Sequence, residues 1–174
     1  MIIHNLRYTI NMIIVKNSGY LYYKNFKCRC ALGKNGIKNK IKEGDKITPK
    51  GTFKIGNLYY RSDKIKYLKT KLTKIRISKD MGWCDDSKSI NYNKLIKLPS
   101  TSNHEKLYRK DRIYDLILII HYNTKPIIKK KGSAIFLHIS KNNYSPTNGC
   151  VAIKKIDFIK LLKILKKNSY IKLF

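Results

Sequence analysis

Acid is what this chain has least of. Ten Asp and Glu residues stand against 39 Lys and Arg, a formal charge of +29 over 174 residues. A field of that size attracts polyanions such as nucleic acid, an anionic membrane surface or an anionic cell-wall polymer. The chain also lacks a compact Arg-rich block and any nucleic-acid-binding motif, so no specific nucleic-acid partner is expected. The excess is mostly lysine, scattered among Ile and Asn, a bias that codon drift in an AT-rich genome also produces. Long apolar runs are missing: Leu116 to Ile120 is the longest strictly apolar stretch, far too short to cross a bilayer. Met1 to Lys16 is broken by His4, Asn5, Arg7 and Asn11, and has neither the apolar segment nor the cleavage site of a secretory leader. Residues 1–11 therefore read as an N-terminal extension and 12–174 as one domain, monomeric by expectation. No CxxC pair is present either. Cys28-x-Cys30 has no second half at zinc-site spacing, so no metal or other cofactor is expected. A bridge from Cys84 to Cys28 or Cys30 and free thiols are both allowed.

What the chain does have is β-prone runs. Met12–Lys16 and Tyr20–Lys24, joined by Asn17-Ser18-Gly19, read as a hairpin, and Phe26–Leu32 as a third strand. Gly44-Asp45 and Pro49-Lys50-Gly51 carry turn chemistry before a strand over Thr52–Arg61. Glu43 and Asp45 read as a solvated turn rather than as an acid–base pair. From Asp80 to Ser102 loop composition dominates. It holds Trp83, the single tryptophan, beside Asp85 and Asp86, with His104 and Glu105 just beyond. Ile113–Tyr122 reads as a central strand and Ser133–Ile139 as another. Phe158, Leu161, Leu162 and Leu165 recur at helical spacing, so Ile156–Lys167 reads as a helix, followed by a closing strand over Ser169–Phe174. Many strands, long loops and one helix near the C-terminus predict a mostly-β fold, a mixed-sheet sandwich or partial barrel.

Chemistry concentrates between Gly132 and Ile153, GSAIFLHISKNNYSPTNGCVAI. His138 closes a strand, and Cys150 opens the next element twelve positions later. A polar loop of that length can fold back and join them. An imidazole beside a thiol can take its proton, and the thiolate is the reactive form. Gly149 frees the backbone to turn and to aim N–H groups at a developing oxyanion. On the residues alone, a buried structural cysteine remains the alternative.

This stretch resembles the active-site signature of the L,D-transpeptidase catalytic domain (YkuD-type): a histidine ending a strand, then Ser/Thr-His-Gly-Cys. Here it reads His138, then Thr147-Asn148-Gly149-Cys150-Val151. The run Gly36, Lys42, Glu43-Gly44-Asp45, Thr48-Pro49, Gly51, Phe53 is similar to the family's "G…K.EGD..TP.G.F" segment. GSAIFLH…PTNGCVAI and the runs around Trp83 and His104 look like one bacterial branch. The resemblance spans 12–174. Asn148 stands where most members carry histidine, Ala152 where many carry a polar residue, and the loop is shorter than usual.

The resemblance implies the family's mostly-β architecture and a cysteine acyltransferase acting on peptidoglycan stem peptides. Cys150 would be the nucleophile and His138 its base, with Ile139 orienting the imidazole through its carbonyl and Gly149 supporting the oxyanion. Thr147, Asn148, Tyr144, Trp83, His104 and Glu105 are candidate substrate contacts. A cell-envelope location is implied although no leader is recognisable. A basic polyanion- or cell-wall-binding module with an idle site, or another cysteine peptidase of wall peptides, are the competing readings. A single ionisable base predicts one acidic limb near neutrality in the pH profile.

Overall fold

Every second residue is buried in Met12–Lys16 (β1) and in Tyr20–Tyr23 (β2), the period of strands with one covered face. The computed structural model describes residues 11–174. What the sequence suggests for residues 1–10 lies outside the described residues. After β1 and β2 come β3 (Phe26–Arg29), β4 (Ile37–Lys38), β5 (Thr48–Pro49), β6 (Gly51–Tyr60) and β7 (Lys74–Arg76). Then follow β8 (Met81–Cys84), β9 (Leu95–Lys97), β10 (His104–Lys106), β11 (Leu116–Ile120), β12 (Phe136–Ile139) and β13 (Val151–Ile153). A helix, α1 (Lys155–Ile164), and β14 (Tyr170–Leu173) complete the chain.

The main sheet runs β13-β12-β11-β6-β14-β1-β2-β3, with β7 beside β6. It is mixed: β1–β14, β12–β13 and β6–β7 are parallel, and the other pairs antiparallel. Its two ends nearly close into a barrel. Just beyond β3, Ala31 exchanges hydrogen bonds of 2.7 and 2.9 Å with Ala152 of β13. The barrel interior holds Ile13, Val15, Leu21, Leu118, Leu137 and Ile171, together with Phe158, Leu161 and Leu162 of α1. Burying an aliphatic or aromatic side chain of this kind stabilises by roughly 1.5–3 kcal/mol each. The fold is mostly β, with a mixed, barrel-like sheet and one helix among the described residues, as the patterning predicted.

A second apolar cluster lies on the outer face of the sheet. It joins Tyr59, Ile117 and Phe136 to Trp83, Leu107, Tyr114 and Cys150. Its cover is a small antiparallel sheet of order β10-β8-β9. This part of the chain read as loop. Its strands are three or four residues long, too short to show an alternation. The strand expected over Ser133–Ile139 begins only at Phe136, because Ala134 takes a left-handed φ of +52° that breaks extended backbone. The central strand narrows from Ile113–Tyr122 to Leu116–Ile120, and all four cysteines are free thiols.

Three backbone segments meet where β13 begins. Gly33 pairs with Thr147 in an isolated parallel bridge, and its N–H donates to Thr48 Oγ1 at 2.8 Å. A Cβ on Gly33 would overlap the Lys46 carbonyl oxygen and lie 3.1 Å from Gly149 Cα. The obstacles are backbone, so they cannot swing away. Gly33→Ala is therefore expected to cost about 2–3 kcal/mol, roughly 5–10 °C in a thermal melt followed by circular dichroism. A melt within about 1 °C of wild type would show that this junction is not tight.

Candidate active site

The parallel pairing of β12 and β13 sets Leu137 against Val151 and His138 against Ala152. One step earlier, Cys150 faces Phe136, whose N–H points at its sulfur at 3.4 Å. Side chains alternate across a strand, so Phe136, His138, Cys150 and Ala152 share one face. Two parallel strands need a crossover, here the loop from Ser140 to Cys150. Thr147 shapes its end. Its hydroxyl donates to Cys150 O at 2.6 Å and accepts the Gly149 N–H at 3.1 Å. Its backbone is pinned by Thr147 N–H to Leu32 O (2.8 Å) and Lys34 N–H to Thr147 O (3.0 Å). Gly149 has φ +135°, and a Cβ there would stand 2.9 Å from Ile47 O, so only glycine fits without strain.

His138 is 6% exposed, and its Nδ1–H donates to Ile139 O at 2.9 Å. That bond assigns the proton to Nδ1 and leaves the Nε2 lone pair as the basic site. Tyr114 packs on the ring edge-on at 5.3 Å. Burial holds the imidazole pKa down to about 4 and pushes the Cys150 thiol up to about 12. Both groups are thus neutral at rest. The Cys150 thiol donates to Ala134 O at 3.2 Å, so its hydrogen bond goes to a backbone carbonyl and not to His138. The Cys150 N–H has no acceptor among the described residues, whereas that of Gly149 is taken by Thr147.

His138 and Cys150 line a cleft of about 520 Å³. Four of the chain's ten acidic residues line it too: Glu43, Asp85, Glu105 and Asp111. Burial raises the carboxyl pKa of Glu105, and that of Asp85, where the nearby Glu43 adds to it. Arg109 binds Asp111 at 2.6 Å, lies 3.6 Å from Glu105 and holds the Asp111 carboxyl low. Lys46 and Lys141 stand at the rim.

Of the predicted contacts, Thr147, Asn148 and Glu105 line this cleft, and Trp83, His104 and Tyr144 do not. Trp83 is buried edge-on against Phe136 at 5.3 Å. His104 Nδ1 donates to Ser102 O at 2.7 Å. Tyr144 lies under Arg29 at 5.0 Å and Lys154 at 5.6 Å. The carboxylate pair read as a solvated turn separates. Asp45 turns inward to Lys40 and to three backbone N–H groups. Glu43 reaches the cleft, where it accepts from Tyr92 Oη and from Ser133 Oγ at 2.7 Å. Among the described residues no cluster of His, Cys, Asp or Glu could hold a metal ion.

Sequence reasoning passed over Arg109, Tyr114 and above all Asn93. Asn93 is 4% exposed and uses its whole amide. Oδ1 accepts from Trp83 Nε1 (3.0 Å) and Ala134 N–H (3.1 Å), and Nδ2 donates to the carbonyls of Tyr122 (3.1 Å) and Asn123 (2.8 Å). It thereby holds Ala134, whose carbonyl holds the thiol. Its αL φ of +57°, which asparagine tolerates, was the one local signal. Asn93→Ala would strand the buried Trp83 Nε1–H and three partly buried backbone groups, and a loss of about 3 kcal/mol is expected in urea unfolding. A loss under about 1 kcal/mol would show that water replaces the amide.

Two crystal structures of the helical cell shape determining protein Pgp2 from Campylobacter jejuni, one of a point mutant, each align with a TM-score of 0.47 at 14% identity. The alignments cover 94% and 92% of this chain and 46% of the Pgp2 chains, so the chain spans just under half their length. A search of curated proteins finds no match. The family model of the L,D-transpeptidase catalytic domain, YkuD, matches residues 7–172, and this chain therefore belongs to that family.

Proposed function

We propose that the chain is a cysteine acyltransferase acting on peptidoglycan stem peptides, with Cys150 as nucleophile and His138 as base. The observation that carries this reading is the Nδ1–H bond of His138 to Ile139 O at 2.9 Å, which leaves Nε2 basic in the cleft that also contains Cys150. Membership of the family supports a peptidoglycan-related substrate and an envelope role. No helix among the described residues is long and apolar enough to cross a membrane.

The reaction starts when the thiol leaves Ala134 O and its proton passes to His138 Nε2. Sγ attacks the amide carbonyl that follows the L-centre of the donor stem. The oxyanion takes the Cys150 N–H, and with it the Gly149 N–H once Thr147 Oγ1 lets go. The C–N bond breaks, and the leaving D-amino acid takes the proton from His138. An acceptor amine then attacks the thioester, His138 removes its proton, and the thiol is restored. Water in place of the amine makes the outcome L,D-carboxypeptidation. Asn148 cannot titrate, so His138 alone moves the proton in this mechanism.

One observation favours a second reading, a wall-binding module with an idle site. The resting thiol is neutral and bonded to a carbonyl. The same experiment separates the two. Wild type incubated with purified muropeptides is expected to yield cross-linked or trimmed stems by mass spectrometry. Cys150→Ser should lose at least 100-fold in rate, while Cys28, Cys30 and Cys84 variants keep turnover and lose stability. Unaltered muropeptides with wild type, or turnover retained in Cys150→Ser, would end the acyltransferase reading.

The pH profile follows from burial. His138 must be neutral to accept a proton, and its folded pKa is held to about 4. The acidic limb therefore moves down from neutrality. Acylation of Cys150 by a penem, read by intact mass, is expected to stay flat from about pH 5 to 7.5 and to fall about tenfold per pH unit below about pH 4. His138→Ala should remove both the rate and the limb, and Asn148→His should change neither much. A midpoint near 6.5 would show that burial does not hold the His138 imidazole down, and a limb that survives His138→Ala would assign the proton transfer to another group.

A further inference from the structure

The outer face of β6, β14, β1, β2 and β3 is a grid of cations and aromatic rings. These five adjacent strands contain no acidic residue. Register places the outward side chains in rows. One row crosses Thr52, Lys172, Ile14, Tyr22 and Lys27. A second crosses Lys16, Tyr20 and Arg29, and a third Lys54, Tyr170 and Met12. Lys16, Lys27, Arg29, Lys54 and Lys172 are exposed. Tyr20 is 39% exposed and Phe174, at the end of β14, 44%. The rings hold the charges in place: Lys27 sits 4.8 Å from the Tyr20 centroid and 5.6 Å from that of Tyr22, and Lys16 sits 5.4 Å from Tyr22.

The grid leads to the cleft. Arg29 continues it to Tyr144 at 5.0 Å, and Lys154 covers the same ring at 5.6 Å. Tyr144 lies in the loop between His138 and Cys150, next to Ser145, Pro146 and Thr147 of the cleft wall. Across five strands the face is about 19 Å wide, from four spacings of about 4.8 Å. Lys16 and Lys27 lie against the Tyr20 and Tyr22 rings, so a stacking nucleobase would have to displace them. The face suits a polymer whose negative groups hang from its backbone as substituents.

We infer that this face is a docking surface for an anionic, peptide-bearing glycan strand, which it holds while one peptide enters the cleft. The assignment of the occupant rests on the acyltransferase reading. Tyr144 then acts outside the cleft, as the link between the strand-bearing face and the loop that carries the thiol.

The test is co-sedimentation of the whole protein with purified peptidoglycan sacculi at 150 mM salt, with a 30-nucleotide single strand as the comparison ligand. Three variants are compared by dissociation constant, each first checked for a wild-type thermal melt. Lys27→Gln/Arg29→Gln/Lys172→Gln removes three charges from the grid. Lys160→Gln/Lys163→Gln/Lys166→Gln removes three exposed charges from α1 and its C-terminal end. Tyr20→Ser/Tyr144→Ser keeps every charge. The grid triple is expected to weaken sacculus binding at least 10-fold, the tyrosine pair at least 3-fold and the helix triple less than 2-fold. Equal weakening by the two triples would reduce the effect to net charge and overturn the proposal. So would tighter, grid-dependent binding of the oligonucleotide, which would make the partner a nucleic acid. Sedimentation needs no turnover, so a failure here and a failure of Cys150 chemistry are separate results.

Discussion

The parallel pairing of β12 with β13 is the contact on which the cleft depends. Neighbouring strands stand about 4.8 Å apart and pairing fixes their register, so placing Leu137 against Val151 decides which side chains share the cleft face. A slip of one residue would turn Cys150 or His138 into the barrel interior. The register is held from both sides. On one, Ala152 is bonded to Ala31, and on the other β12 pairs with β11, a strand buried along its whole length. The thiol and the imidazole therefore need no flexible loop to aim them. The loop between them has only to close, and Thr147 closes it.

Charge is distributed against the composition. Lysine covers the outside, yet the cleft gathers four of the ten carboxylates around a neutral thiol and a neutral imidazole. Two of these, Glu105 and Asp85, are raised by burial, so the interior of the cleft disfavours charge of either sign. Arg109 relieves part of that cost through Asp111 and Glu105. Such a site is quiet at rest. A group that displaced the thiol from Ala134 O and brought its own polar atoms would change the surroundings of Cys150 and His138 at once.

Much of this was legible in the residues. β-Prone runs between turn residues gave the hairpin and the long β6, helical spacing gave α1, and His138 with Gly149-Cys150 marked the cleft. What stayed hidden is long-range. Glu43 is joined to Tyr92 and Ser133 across 49 and 90 positions, and nothing near Glu43-Gly44-Asp45 distinguishes that from a solvated turn. Asn93 reaches Ala134 across 41 positions. Strands as short as β8, β9 and β10 carry no period to detect, and Trp83 looked like a cleft residue because its packing partner, Phe136, is distant in sequence. The left-handed Ala134 ended a run of residues that reads as strand throughout.

The Ala31–Ala152 bridge has a bearing on how the chain behaves in company. An open sheet ends in two rows of unpaired N–H and C=O groups, each a template for another chain. Here the segment after β3 turns back onto β13, and at Ala31 and Ala152 the two ends satisfy one another. Protection against self-association is thus built into the same closure that seats β13 next to Cys150, and losing it would free a sheet edge and shift the thiol together.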